Sequence, residues 1–169
     1  MIKKFILVFI LFFSYCGIVY DGGKGYFFQK FYTDKGVFGE YKEKEILVLS
    51  IPKINFLRKV YSLDSEFNNV DLNVELLGES DIFRNIFFLA GHSGSGDNCY
   101  FNDLVMLEIG DMVIISLDDR DLLYRISDIY YVDKVGYMDV MVDDNSLFLI
   151  TCSLVYLDKQ LVVVGSLIL

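Results

Sequence analysis

The chain has 169 residues, 54% of them hydrophobic, and a mean hydropathy of +0.42. That length holds one domain with a sizeable core but not two, and hydropathy this high in a short chain implies a membrane segment joined to a β-rich domain. A net charge of −9, from 24 acidic and 15 basic residues, argues against a nucleic-acid partner, which needs a basic face, and against a domain held flat on anionic lipid by charge.

In chain order, Lys3 and Lys4 precede an apolar run from Phe5 to about Tyr20. The run is ~16 residues, short for a spanning helix but within reach with snorkelling lysines and an interfacial tyrosine. No A-x-A cleavage pattern follows it. Bulky Phe13 and Tyr15 stand where a lipoprotein signal ending at Cys16 needs small residues. Residues 1–20 are therefore expected to be an uncleaved transmembrane signal anchor, with the positive end in the cytoplasm and the domain outside the cell. Residues 21–44, rich in Gly, charge and aromatics, are expected to be a stalk.

From Glu45 the pattern becomes β. Ile46–Ile51 ends at Pro52, and Ile54–Tyr61, Asn73–Gly78 and Asn85–Ala90 follow. Met112–Leu117 and Leu122–Val132 flank a polar turn containing Asp118, Asp119 and Asp121, and Leu147–Thr151 and Leu161–Leu169 complete the set. Residues 98–108 are expected to form a short helix, and residues 133–144 a loop. One proline and no tryptophan leave the turns to Gly, Asn and Asp. Seven or eight short strands with one or two short helices predict a closed or nearly closed β-barrel over residues 45–169.

The chemistry-bearing residues are few. The three cysteines, Cys16, Cys99 and Cys152, and the single histidine, His92, fit no zinc spacing. A Cys99–Cys152 disulfide is one conceivable pairing that would silence Cys152. His92 follows the apolar run that ends at Leu89-Ala90-Gly91, and Cys152 ends the run Phe148-Leu149-Ile150-Thr151. A thiol and an imidazole at two strand exits suit a nucleophile and its acid/base partner. On these residues alone a surface histidine and a packed cysteine explain the pattern as well.

The local sequences resemble one family. Ala90-Gly91-His92 followed by Phe101-Asn102-Asp103-Leu104 is similar to the sortase A-G-H and F-x-x-L pattern, and Leu149-Ile150-Thr151-Cys152 to its T-L-x-T-C strand end, with Phe148 in place of the usual first Thr. The separation of 60 residues between His92 and Cys152 is typical of the family. Ile51-Pro52-Lys53-Ile54 and Gly110-Asp111 match two further sortase motifs. This resemblance implies a sortase-like β-barrel and a cysteine transpeptidase. In it the Cys152 thiolate cleaves an LPxTG-like sorting signal of a surface protein, His92 protonates the leaving amine, and an incoming amine releases the thioacyl enzyme. The acceptor would be a cell-wall peptide or a pilin lysine, with no metal or organic cofactor. The family's arginine, in an R-x-x-V-x-G setting after the cysteine, falls at Gln160, with Lys159 one residue earlier. Gln160 keeps a donor but loses the charge and the planar fork, so a sortase-fold scaffold without catalysis is the alternative, and a peptidase releasing to water a third reading.

Overall fold

The computed structural model describes residues 3–8, 45–117, 120–135 and 137–168. Its strands in chain order are β1 (Lys3–Val8), β2 (Glu45–Ile51), β3 (Phe56–Tyr61), β4 (Glu75–Leu76), β5 (Phe87–Ala90), β6 (Met112–Leu117), β7 (Arg120–Asp133), β8 (Tyr137–Val142), β9 (Ser146–Cys152) and β10 (Lys159–Leu167). Eight of them form one sheet in the order β3-β2-β6-β7-β10-β9-β5-β4. The edges β3 and β4 lie beside each other, and Asn73 Nδ2 donates to the Lys59 carbonyl at 3.1 Å across the gap. The predicted nearly closed barrel is what the chain forms. Neighbours are antiparallel except β5 and β9, which run parallel.

Alternation sorts side chains between two apolar clusters. Leu89, Leu149, Leu161 and Val163 face the barrel interior with Leu49, Val113, Phe101 and Tyr124. Phe88, Phe148, Ile150 and Val162 face outward into a second cluster. Phe88 and Phe148 are register partners of the parallel pair, and their rings stack at 4.4 Å. Asn55, Asn85 and Asn145 take left-handed backbone conformations at the turns, a role asparagine tolerates better than other non-glycine residues.

Three expectations need correction. The predicted helix over 98–108 is a five-residue 3-10 turn, Asn102–Met106, with Phe101 and Leu104 buried in the interior cluster. The predicted loop over 133–144 contains strand β8. Met138, Val140 and Val142 alternate onto Phe88, Phe148, Ile150 and Val162 and cover the outer cluster, while Met141 faces solvent. Of the predicted anchor, the described part, Lys3–Val8, is a strand antiparallel to β8 rather than a helix. An apolar run rich in Phe, Ile and Val suits either state, and the β8 edge supplies the backbone partners. Residues 9–20 and the predicted stalk 21–44 lie outside the described residues. Among the described residues no helix is long and apolar enough to cross a membrane.

Candidate active site

The parallel register Phe87↔Leu147 to Ala90↔Ile150 continues past the end of β5. Gly91 N donates to Ile150 O at 3.1 Å, Thr151 Oγ1 donates to Gly91 O at 2.7 Å, and Ser93 Oγ donates to Cys152 O. His92 therefore leaves β5 at the level where Cys152 ends β9. Cys152 is partly exposed, and neither it nor Cys99 is in a disulfide, so the conceivable Cys99–Cys152 bridge does not form.

Gly91 is required by packing. A Cβ there would lie 2.8 Å from the ring of Phe101, which is buried in the core. Phe101 N in turn donates to His92 O at 2.9 Å. The Gly/Ser loop after His92 is tied down at its start. Asn102 accepts from Gly94 N at 2.7 Å and donates to Gly94 O at 3.1 Å, and Ser93 is buried.

The register separates the two candidates for the arginine position. Gln160 is the cross-strand partner of Cys152, and directly opposed residues of an antiparallel pair share a face. The Gln160 amide thus projects from the same face as the thiol. Lys159 belongs to the opposite alternation, and its ammonium donates to Asp133 on β7 at 3.0 Å. Both outward positions continue the apolar stripe of Phe148, Ile150 and Val162.

One neighbour of the site was not singled out from the sequence. His92 Nε2 lies 2.9 Å from Asp71 Oδ1, and because a carboxylate only accepts, the ring nitrogen donates. Asp71 comes from the loop between β3 and β4, 21 residues before His92, and its sequence surroundings match no motif. Glu75, half-buried nearby, accepts from Val70 N at 3.2 Å. Burial, more than any other influence, pushes its carboxyl above the usual range; the Val70 bond and His92 oppose this and Asp71 adds to it.

β8 forms a wall over the stripe. It starts beside the β9–β10 turn, where Lys134 N donates to Asp158 O at 2.9 Å. It ends near Arg84, which pairs with Asp144. Leu154, Val155, Tyr156 and Leu157, in the turn after Cys152, are exposed apolar residues at the rim. A cavity of about 420 Å³ opens at the far end of the same face, between residues 78–84 and Val142. It lies at the start of β5, away from His92 and Cys152.

The arrangement offers a partly exposed thiol, an imidazole with one nitrogen engaged and a neutral donor beside the thiol, at the end of a packed apolar stripe. Residues 49–168 match the family model described as "Sortase domain". Among solved structures, sortase C1 from Streptococcus agalactiae is 24% identical, with a TM-score of 0.63 over 78% of this chain and 71% of that one. Sortase C-1 from Actinomyces oris is 22% identical, with a TM-score of 0.63 over 76% of each chain. A pilus-related sortase C of Group B Streptococcus is 22% identical, with a TM-score of 0.63 over 81% and 77%. Comparison with curated protein sequences finds no match.

Proposed function

Because this chain belongs to the sortase family of cysteine transpeptidases, we propose that it cleaves an LPxTG-like sorting signal at Cys152 and passes the acyl group to an amine. The observation that carries the reading is the register that sets Cys152, His92 and Gln160 at one end of three adjacent strands. The Cys152 thiolate attacks the scissile carbonyl carbon, and the resulting oxyanion is met by the Gln160 amide. Collapse expels the peptide amine, which takes a proton from the His92 imidazolium and leaves a thioester on Cys152. An acceptor amine then attacks the thioester and gives its proton to His92, and the thiolate departs. The acceptor is an amine of a cell-wall peptide or a pilin lysine.

The membrane part of the proposal rests on the apolar run after Lys3 and Lys4, with the barrel outside the cell. Lys3–Val8 cannot lie in a bilayer and against β8 at once, so insertion would free the β8 edge.

The test is to incubate the protein with a panel of LPxTG-like peptides and an amine, and to look by mass spectrometry for a thioacyl adduct on Cys152. An adduct that disappears in Cys152→Ala and weakens in His92→Ala supports the enzyme. The Gln160 amide, in place of the family's arginine, favours one second reading, a binding scaffold. No adduct in the wild type, with an adduct in Gln160→Arg, would establish that reading instead.

A further inference from the structure

We infer that Asp71 is a positioning residue for His92, fixing which ring nitrogen carries the proton during acyl transfer; this rests on the transpeptidase reading above. An imidazole has two nitrogens, and only one can face the reacting groups at a time. Nε2–H is held by Asp71 Oδ1 at 2.9 Å. Nδ1 is then the nitrogen committed to the thiol side. The imidazolium gives its Nδ1 proton to the leaving amine and becomes the neutral Nε2–H tautomer. It takes a proton back at Nδ1 from the acceptor amine, and the Nε2–H···Asp71 bond persists through both steps. Fixing a tautomer through the far nitrogen is a general means of setting the role of a histidine.

The loop that carries Asp71 is built to hold it. Asp71 N donates to Asn69 Oδ1 at 2.9 Å, closing an Asx turn. Asn98 Nδ2 donates to Asp71 O at 2.5 Å, and Tyr100 OH donates to Leu72 O at 3.3 Å. Both come from the segment between His92 and the 3-10 turn, so the loop before the histidine and the loop after it are bonded to each other. Asn68 adds a two-way bond to Leu76 at 2.7 and 2.9 Å, pinning the loop to β4. The Arg58 guanidinium lies 3.9 Å from the centre of the Tyr100 ring and steadies Tyr100. The His92 side chain is only 15% exposed, whereas that of Asp71 is 65% exposed. The carboxylate therefore stands between the ring and water and bears little of the fold itself. Glu75 is the other carboxylate close to this pair, but its oxygen is engaged by the Val70 amide.

His92 is the only histidine, so ¹⁵N-histidine labelling of the full chain gives a single imidazole spin system. In the wild type a ring N–H proton protected from solvent exchange is expected on Nε2, correlated with both ring C–H protons. It should persist in Asp71→Asn, whose amide oxygen still accepts, and vanish in Asp71→Ala with the backbone spectrum otherwise unchanged. On peptide and amine substrates, Asp71→Ala should lower kcat by ~10–100-fold with KM unchanged, a part of the general acid–base contribution, and Asp71→Asn should recover some of the loss. A protected proton on Nδ1, or a signal and kcat indifferent to Asp71→Ala, would overturn the inference. If the wild type turns over no peptide, the transpeptidase reading fails, while the ring N–H signal still decides the role of Asp71.

Discussion

The inner and outer faces of β5, β9 and β10 are made of similar residues and perform different tasks. Inward, Leu89, Leu149, Leu161 and Val163 join the barrel core. Outward, Phe88, Phe148, Ile150 and Val162 form a stripe roofed by β8, and one alternation further along that face stand Cys152 and Gln160. The inner face closes the barrel; the outer face ends at the candidate site. One strand can do both because its period of two keeps the tasks on opposite sides.

The largest expected effect breaks the inner face. Leu149→Ala, at a fully buried position, should cost ~3 kcal/mol in chemical denaturation, within the range for core leucine truncation, and the activity of the molecules that remain folded should be little changed. Met138→Ala in the roof should cost less stability and instead raise KM for the peptide, since β8 packs over the stripe that ends at Cys152 and Gln160. Equal losses of stability with no change in KM would erase the distinction between the faces.

The next effect is on the site itself. Gln160→Ala should lower kcat by ~10²-fold, the scale of one lost oxyanion donor, without altering the melting temperature. Lys159→Ala should leave kcat alone, because its ammonium is committed to Asp133. A larger kcat loss from Lys159→Ala than from Gln160→Ala would reverse the assignment. Gly91→Ala should cost ~1–3 kcal/mol through overpacking against Phe101 and should reduce kcat as well, since the segment that shifts carries His92; unchanged stability and activity would show that Phe101 yields without cost.

The smallest effect concerns Glu75. Burial raises its folded-state pKa above the unfolded value. The folded state therefore binds the proton more tightly, and stability falls as pH rises from the unfolded toward the folded pKa. Glu75→Gln should melt slightly higher than the wild type at pH 7, by on the order of 1 °C given the solvent screening of a half-exposed group. The difference should vanish below the usual glutamate range. A gain that persists at low pH would mean that a contact, not a charge, was changed.

Much of this arrangement was legible in the sequence. The strands of the barrel fell where apolar runs stopped at Pro52, Gly91 and the asparagine turns, and the paired strand exits pointed to His92 and Cys152. The expectation for 133–144 failed although a period-two pattern, Met138, Val140 and Val142, was there to be read. Short strands apolar at consecutive positions, such as Phe87–Ala90, were a second clue, because such strands need cover on both faces. The choice between Gln160 and Lys159 needed the register, which sequence spacing fixes only modulo a bulge. Asp71 left no local signal: its meeting with His92 depends on the path of a loop between β3 and β4, and no periodicity encodes that.

In the eight-stranded sheet β5 and β9 form the parallel pair, and β10 lies between β9 and β7. A parallel neighbour must be reached by a long excursion, here through β6, β7 and β8, and contacts of such sequence separation form slowly. The thiol and the imidazole therefore meet only after most of the barrel has been threaded, and β10 must dock before Gln160 stands beside them. A half-made or half-unfolded chain carries a cysteine with no base and no donor at its side. Such a chain lacks the arrangement on which the proposed acyl transfer depends, so under that proposal activity arrives together with the finished fold.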